Sequence, residues 1–398
     1  EMCIRDSGMR RCEALSAGDA LPPTAVLPRL RAEPPIDELE DALRYLEAVY
    51  VPLAGEDDAL DPLRADPTER RFALDWLAKA TMSQLAWAGP EGVRAADHAA
   101  RILAQCSSAL EAGELVREFH FPMAKEGRFA VAMSVRDAPL PPSDSNSRQG
   151  AAEAAAAVGV QTYASSVIMC DLLVADPSAF HAALGSTEAK IPVPFRVVEL
   201  GAGTGIVGMV AAKLLALPGC VPGDAPAEVA ITDYHADVMH NLVYNMDTYL
   251  ELLPGRVTAR AEVLDWRVPH RVRDPAFTDA PADAVPPPHT ESLVLAADVI
   301  YDPRHALWLV SAIRHMLRQP DTDPDARAHV LVPKRNGYRL VGLYKTLDYA
   351  VHDASKEPWN GYALVCSAQR TMPRRPGLGR QDEMEYVWTE LRWQRVEA

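Results

Sequence analysis

Apolar residues recur at helical spacing in the first third of the chain. The clearest series contains Leu39, Leu43, Leu46 and Tyr50. Intervals of three and four positions gather side chains on one face of a helix. Two further helical stretches follow at 66–85 and 92–106, so the pattern predicts a small helical unit over residues 36–112.

Residues 1–35 lack this period and are rich in Pro, Ala and Leu. We predict a disordered arm here, because a segment without an apolar face has little to pack against a core. The first eight residues follow no recognisable pattern, so Met9 is a candidate start of the native chain.

Apolar and polar residues alternate with a period of two in the segments "LVREFHFP" (115–122) and "RFAVAMSV" (128–135). Two such runs joined by a short polar segment containing glycine are typical of a β-hairpin. We therefore predict a β-hairpin and a linker over residues 113–158.

Short apolar runs and helical stretches alternate after residue 195. The runs predict strands at 196–200, 229–233, 257–264, 292–298 and 329–333, and the helical stretches begin at 205, 236, 305 and 337. This alternation is typical of a parallel sheet that is covered by helices on both faces. Two further strands, 362–370 and 386–395, have no helix between them and should form an antiparallel hairpin at the sheet edge. We predict an α/β fold over residues 159–398, with a doubly wound, mostly parallel sheet of seven strands.

The composition of the chain excludes several kinds of binding partner. The chain has 40 Lys and Arg against 55 Asp and Glu, a formal net charge of -15, which disfavours binding to nucleic acid. No run approaches about 18 consecutive apolar residues, so no membrane association is expected. The six cysteines and the histidines lack the spacing of a metal site or a disulfide framework. We expect a cytoplasmic, monomeric protein without a bound metal.

The run "VVELGAGTGIVG" (197–208) contains the candidate chemistry. It places a G-x-G-x-x-G turn after a strand, and Asp233 ends the next strand, where a carboxylate can accept hydrogen bonds from a ribose. Both a nicotinamide dinucleotide and S-adenosylmethionine contain such a ribose. The glycine turn alone therefore leaves both ligands open.

Three features favour S-adenosylmethionine. Glu199 precedes the first glycine, and a carboxylate there suits an ammonium and a sulfonium better than a pyrophosphate. Asp265 and Trp266 end the third strand, where they could accept and stack an adenine. The segment "ADVIYD" ends the fourth strand with Asp298 and Tyr301, at the edge where doubly wound sheets bind ligands.

With these motifs, residues 159–398 resemble the class I, seven-β-strand methyltransferases with a Rossmann-like fold. The resemblance is to the protein-lysine methyltransferases, particularly a fungal branch with long N-terminal extensions that modifies translation elongation factors 2 and 3. It rests on "VGVQTYASSVIMCDLL", "VVELGAGTGIVG", "ITDYHADVMHNLVYNM", "LDW" and "ADVIYD". Tyr163 stands where that group usually has tryptophan.

The resemblance implies S-adenosylmethionine as cofactor and a protein substrate, namely an elongation factor. Asp298 and Tyr301 would face the target lysine, Asp298 by orienting the ammonium and Tyr301 by aiming the nitrogen lone pair. The residues implied in cofactor binding are Gln161, Thr162, Tyr163, Glu199, Gly201, Gly203, Gly205, Asp233, Asp265, Trp266 and Ala297.

Simpler interpretations stay open for several of these residues. Asp233 could cap the helix that follows it, and Asp298 with Tyr301 could be an ordinary strand-end pair. Methylation of a nucleic-acid base is disfavoured because Val299 and Ile300 stand where such enzymes typically carry two prolines. A small-molecule methyltransferase or a non-catalytic scaffold would retain much of the same pattern.

Overall fold

The computed structural model describes residues 22–50, 67–81, 85–106, 115–123, 130–138, 157–186, 192–222, 225–336, 340–375, 378–379 and 383–396. The chain divides into two compact units, with the boundary between residues 112 and 113 and with the short segment 375–378 assigned to the first unit. Among the helices of the described ranges, none has the length and apolar character needed to cross a lipid bilayer.

The described residues of the first unit include the predicted helices Ile36–Tyr50, Pro67–Thr81 and Gly89–Cys106. Their apolar faces form one core that includes the periodic leucines of the first helix, all fully buried, together with Leu77 and Ile102. Burial of this face is what makes helices of this length stable in water.

The end of the predicted disordered arm is ordered, which corrects that prediction for residues 22–35. Pro23–Val26 forms a helical turn and Leu30–Ala32 a 3-10 turn. Leu30 is buried in the helical core, and the indole Nε1 of Trp76 donates a hydrogen bond to the carbonyl of Pro28 at 2.7 Å. Tertiary contacts therefore hold a segment that has no period of its own, whereas residues 1–21 lie outside the described residues.

The second unit contains a two-stranded hairpin, β1 (Leu115–Pro122) and β2 (Ala130–Asp137), which pair in antiparallel register as predicted. The hairpin packs on the larger sheet's helices. Lys213 donates from Nζ to the carbonyl of Ala132, and the guanidinium of Arg136 lies 3.5 Å from the ring centre of Tyr244.

A seven-stranded mixed sheet forms the centre of this unit, in the order β5-β4-β3-β6-β7-β9-β8. Strands β3 to β7 are parallel, and β9 pairs antiparallel with both β7 and β8, which confirms the predicted fold class and edge hairpin. The strands are β3 Phe195–Leu200, β4 Ala227–Asp233, β5 Val257–Val263, β6 Leu293–Ala297, β7 Arg327–Arg335, β8 Tyr362–Pro373 and β9 Glu383–Arg395.

Helices follow the parallel strands. They are Ile206–Ala216, Ala236–Tyr249, Arg267–Arg273, Pro303–Met316 and Tyr344–Ser355, and a further helix, Ala164–Ala175, precedes β3. The helix expected from 337 begins at Tyr344, since Gly342 has the left-handed φ of 78° that a right-handed helix excludes. The helix Arg267–Arg273 has no counterpart in the sequence pattern. Strand β6 is buried along its whole length, so the sheet is covered at its centre. In folds of this kind ligands bind at the carboxyl edge of the parallel strands.

Candidate active site at the carboxyl edge of the sheet

The predicted site residues gather at the carboxyl edge of the parallel strands. Glu199 lies near the end of β3, Asp233 ends β4, and Asp298 follows β6 directly. Asp265 and Trp266 follow β5 and precede the helix Arg267–Arg273. Parallel strands with right-handed crossovers end at one edge, so four separate stretches of sequence reach the same place.

The glycine turn after β3 needs its glycines for steric reasons. Gly201, Gly203 and Gly205 have φ angles of 69°, 58° and 84°, which other residues rarely adopt. A Cβ on Gly201 would lie 3.0 Å from the indole ring of Trp266, and a Cβ on Gly203 would lie 2.9 Å from the carbonyl oxygen of Gly159. The turn is therefore closely packed against Trp266 and against the segment that leads to Gln161.

Glu199 is buried and braces the helix that follows the glycine turn. Its Oε2 accepts a hydrogen bond from the backbone N–H of Gly208 at 2.8 Å, in the first turn of Ile206–Ala216. Burial raises the pKa of Glu199 to about 8, while the Gly208 N–H acts in the opposite direction and nearby Asp233 adds to the rise. A cation placed near this carboxyl group would lower the pKa again.

Asp233 links the end of β4 to the glycine turn. Its Oδ2 accepts from the N–H of Gly203 at 3.1 Å, and its Oδ1 accepts from the N–H groups of Tyr234 and His235. Asp233 therefore accepts hydrogen bonds from the backbone just before the helix Ala236–Tyr249, as a helix-capping residue does. Since a carboxylate has about four acceptor positions, the three backbone bonds leave room for one more strong bond, such as one from a ribose hydroxyl.

Asp265 is held by its neighbour Arg267. Oδ1 accepts from the backbone N–H of Arg267 at 2.9 Å, and Oδ2 lies 2.7 Å from the guanidinium Nη2. Trp266 is partly buried, and its side chain packs against the hydrophobic core and lies close to Gly201. The predicted contacts of these two residues with an adenine stay a prediction.

The segment Gln161–Tyr163 is fixed by a residue that sequence reasoning missed, Asp137 at the end of β2. Oδ1 of Asp137 accepts from both the backbone N–H and the Oγ1 of Thr162, at 2.8 and 2.7 Å. Thr162 Oγ1 also lies 3.0 Å from the hydroxyl of Thr204 in the glycine turn. Gln161 and Thr162 are both buried. The β-hairpin therefore holds the segment Gln161–Tyr163 next to the glycine turn.

Two more residues tie the hairpin to the site. Arg117 of β1 lies 3.5 Å from Asp137 and donates to the carbonyl of Thr162 at 3.1 Å. Asn245, on the helix after β4, donates to the carbonyl of Thr204 and accepts from the N–H of Arg136. No local pattern marks these residues, because the partners lie between 20 and 109 positions apart in sequence.

Asp298 has a left-handed φ of 57° and is 3% exposed. Its two carboxylate oxygens lie 3.0 and 2.8 Å from Nη2 of Arg335, the last residue of β7. The cap of the following helix Pro303–Met316 is Asp302, whose carboxylate accepts from the N–H of Arg304. Asp298 and Tyr301 are therefore not needed as helix caps.

Tyr301 lies beside Tyr163, with ring centres 6.4 Å apart and ring planes tilted by 60°. The guanidinium of Arg335 lies 5.6 Å from the centre of the Tyr301 ring. Burial, with nearby Asp298, raises the pKa of Tyr301 well above its ordinary value, so its hydroxyl stays protonated. Ala297, the last residue of β6, is buried and directly precedes Asp298.

A family model described as lysine methyltransferase matches residues 150–323, which include the glycine turn, Asp233 and the Asp298–Tyr301 segment. Residues 150–323 are therefore similar to lysine methyltransferases. The observed sheet, with its antiparallel strand pair at one edge, is the fold expected of the class I, seven-β-strand methyltransferases.

A characterised protein-lysine methyltransferase is also similar to part of the chain. Over 183 residues the chain is 30% identical to the protein-lysine N-methyltransferase EFM2 of Saccharomyces cerevisiae. The matched segment covers 46% of this chain and 38% of the yeast protein, so the chain spans well under half the length of that relative.

Solved structures with some likeness to the chain include two methyltransferases. The glycopeptide N-methyltransferase MtfA complexed with sinefungin is 13% identical, with a TM-score of 0.32, over 58% of this chain and 87% of MtfA. A putative SAM-dependent methyltransferase from Streptococcus mutans is 9% identical, with a TM-score of 0.36, over 78% of this chain and 66% of that one.

The residues at the carboxyl edge fit S-adenosylmethionine, the cofactor that the motif resemblance implies. The glycine turn is a backbone cradle that Cβ atoms would obstruct. Burial raises the pKa of both Glu199 and Asp233, and a ligand that carries an ammonium and a sulfonium would favour their charged forms. Glu199 and Asp233 would face the cationic and ribose parts of the cofactor, and Trp266 would face the adenine.

Proposed function

We propose that the chain is an S-adenosylmethionine-dependent protein-lysine N-methyltransferase and that its substrate is a translation elongation factor of the elongation factor 2 or 3 type. The observation that carries the proposal is the position of Tyr301 beside Tyr163, with Asp298 directly after β6, at the carboxyl edge of a region that matches lysine methyltransferases. Two tyrosines and a buried carboxylate at this edge suit the binding of an amine.

The cofactor supplies a methyl group on a cationic sulfur, and transfer forms the N–C bond as the S–C bond breaks, with S-adenosylhomocysteine leaving. The protein's main task is to align the amine with this methyl carbon. A free lysine with a pKa near 10.4 is neutral about one time in 1,000 at pH 7.4, which corresponds to roughly 4 kcal/mol. Lowering this cost is the second task of the site.

Tyr163 and Tyr301 would perform much of that second task. Both side chains are partly buried, so an amine between them loses water, and loss of water favours its neutral form. The Asp298 carboxylate would attract the incoming ammonium, but its ion pair with Arg335 offsets part of its charge and so limits how strongly it would keep the amine protonated. The protonated hydroxyl of Tyr301 can then orient the lone pair, after the proton has left to water.

Several observations favour a protein over a nucleic acid as substrate. The positions between Asp298 and Tyr301 are Val299 and Ile300, and both side chains are buried in the core rather than forming a rigid proline clamp for a base. The net charge of -15 opposes binding to phosphates. The elongation-factor part of the proposal is supported by the motif resemblance and by the 30% identity to a yeast protein-lysine methyltransferase.

Transfer of tritiated methyl groups tests the proposal. The purified chain and labelled S-adenosylmethionine would be added to a lysate of Saccharomyces cerevisiae that lacks EFM2, and labelled proteins would be separated by mass. Tyr301→Phe and Asp298→Asn should lose most of the transfer. Tyr349→Phe and Asp353→Asn are matched controls on the exposed face of the helix Tyr344–Ser355 and should retain it.

A labelled band at the mass of an elongation factor, with label mapped to one lysine peptide, would support both parts of the proposal. Labelling of another protein would refute the elongation-factor part alone. Absence of any labelled protein, with S-adenosylmethionine still bound by the chain, would refute protein methylation and favour a small-molecule substrate or a scaffold.

A further inference from the structure

A buried polar cluster connects Asp298 to the antiparallel edge of the sheet. Nη2 of Arg335 donates to both oxygens of Asp298 and, at 3.0 Å, to Oε1 of Glu383, the first residue of β9. The other oxygen of Glu383 accepts from the hydroxyl of Tyr386 at 2.8 Å. The side chains of Asp298, Arg335 and Glu383 are at most 3% exposed.

A β-bulge creates this cluster. In the pairing of β7 with β9, Lys334 is opposite Glu385 and Arg335 is opposite Glu383, with a register shift between the two pairs. Without an extra residue, Glu383 and Glu385 would point to the same face of the sheet. The bulge at Met384 turns Glu383 to the buried face, whereas Glu385 remains on the solvent side and pairs with Lys334 at 2.9 Å.

The cluster also borders Tyr301 and the chain next to Tyr163, the two aromatic residues of the proposed amine slot. The Arg335 guanidinium lies against the Tyr301 ring, 5.6 Å from its centre. On the other side, a Cβ on Gly379 would clash with Oε2 of Glu383 and the hydroxyl of Tyr386, and would lie 3.1 Å from Cβ of Ala164, the residue after Tyr163. The same set of buried groups thus borders Tyr301 and the chain next to Tyr163.

Buried ionic groups on this scale are costly unless each has partners with good geometry, and replacing them by apolar residues often costs no stability. Their presence at this edge is better explained by a role in fixing the direction of the Asp298 carboxylate. A lysine in place of Arg335 would keep the charge, but its single ammonium lacks the planar fork of a guanidinium and would fix the carboxylates less well.

We propose that Arg335 and Glu383 are positioning residues, which act through Asp298 to align the target amine with the methyl group. This role rests on the proposed function. Asp298 follows β6 directly and precedes Tyr301 by three positions, and Arg335 contacts both side chains, so a displacement of Arg335 would affect both residues.

A double-mutant cycle in full-length protein tests the role, with methyl transfer to the substrate as one readout and the Kd of S-adenosylmethionine as the other. Arg335→Lys and Glu383→Gln should each lower kcat by about tenfold to a hundredfold, since misplacement of a reacting group by about 1 Å has effects of this size. The Kd for the cofactor should change by less than about threefold, because Glu199 and Asp233 lie on β3 and β4 and Trp266 follows β5, away from Arg335 and Glu383 on β7 and β9. The reciprocal controls on the solvent face, Lys334→Arg and Glu385→Gln, should leave kcat within about twofold.

The combination with Asp298→Asn distinguishes positioning from general stability. If Arg335 acts through Asp298, the double variant Asp298→Asn with Arg335→Lys should be no slower than the slower single variant, within about threefold. Effects that multiply in the double variant, a cofactor Kd that rises in parallel with the loss of kcat, or an unchanged kcat in Arg335→Lys would each overturn the inference. If the unaltered chain methylates no protein, the proposed function is refuted and the positioning role is refuted with it. If the unaltered chain methylates a protein but the effects of the single variants on kcat multiply in the double variant, only the positioning role is refuted.

Discussion

Glu199 should make the stability of the ligand-free protein fall as the pH rises. In the folded chain burial raises the pKa of this carboxyl group to about 8, against 4.5 when it is exposed. The folded protein therefore holds a proton that the unfolded chain releases at any pH between these two values. Because the unfolded state binds fewer protons in this window, the free energy of unfolding decreases with increasing pH.

The size of the effect follows from the two pKa values. Their difference of about 3.5 pH units, at about 1.4 kcal/mol for each unit, corresponds to on the order of 5 kcal/mol. This contribution is fully present below about pH 4.5 and is lost by about pH 8. A loss of this size would be a large part of the 5 to 15 kcal/mol typical of natural domains.

Urea unfolding at pH 5.0, 6.5 and 8.5 would measure the effect by comparison with Glu199→Gln. The amide oxygen of glutamine can still accept the hydrogen bond from Gly208, but the side chain never becomes charged. The variant should therefore gain stability relative to the unaltered protein as the pH rises, by up to about 1.4 kcal/mol for each unit. Glu262→Gln, on the exposed end of β5, is the control and should follow the unaltered protein at every pH.

S-adenosylmethionine adds a second arm to the same experiment. A cation near Glu199 favours the charged carboxylate, so the cofactor should stabilise the unaltered protein more at pH 8.5 than at pH 5.0, and this difference should shrink in Glu199→Gln. Parallel stability curves for the two proteins across the pH range would show that Glu199 is not protonated in the folded state. The reasoning from burial would then be refuted.

Two further substitutions test the cradle and its support. Gly205→Ala should destabilise the protein by more than 1 kcal/mol, measured by thermal unfolding, since its φ is 84° and the new Cβ would clash with Leu242; Gly219→Ala, with φ 72° and no atom within 4 Å, should show only the smaller cost of backbone strain. Asp137→Asn should weaken S-adenosylmethionine binding by about tenfold in calorimetry, because it removes the charge-assisted bonds to Thr162, and an unchanged Kd would argue against a role of the hairpin.

The seven-stranded sheet and the parallel direction of its central strands could be predicted from the sequence because both features depend on local patterns. Each buried strand reads as an apolar run, and the helices between strands force parallel pairing. Once the strands are placed, the residues at their carboxyl ends must share one edge. Glu199, Asp233, Asp265 and Asp298 could therefore be brought together from sequence, although they span about a hundred positions.

The partners of these residues were not predictable in the same way. Asp265 is followed two positions later by Arg267, but nothing in the sequence indicates that this arginine folds back onto it. Thr162 donates two hydrogen bonds to Asp137, which lies 25 residues earlier in the predicted hairpin, and no sequence pattern indicated this contact. Such contacts depend on how separate elements pack, which local periodicity does not encode.

Glu383 is an intermediate case, and it marks where reasoning from the sequence could have gone further. The final hairpin was predicted to be antiparallel, and a strand that runs against its neighbours begins at the edge where they end. Its first residues therefore belong to the same edge as Asp298, which is where β9 places Glu383. The face to which Glu383 points was not predictable, because a single extra residue at the bulge reverses it. A search for functional residues in this fold should include the first residues of an antiparallel edge strand as well as the last residues of the parallel ones.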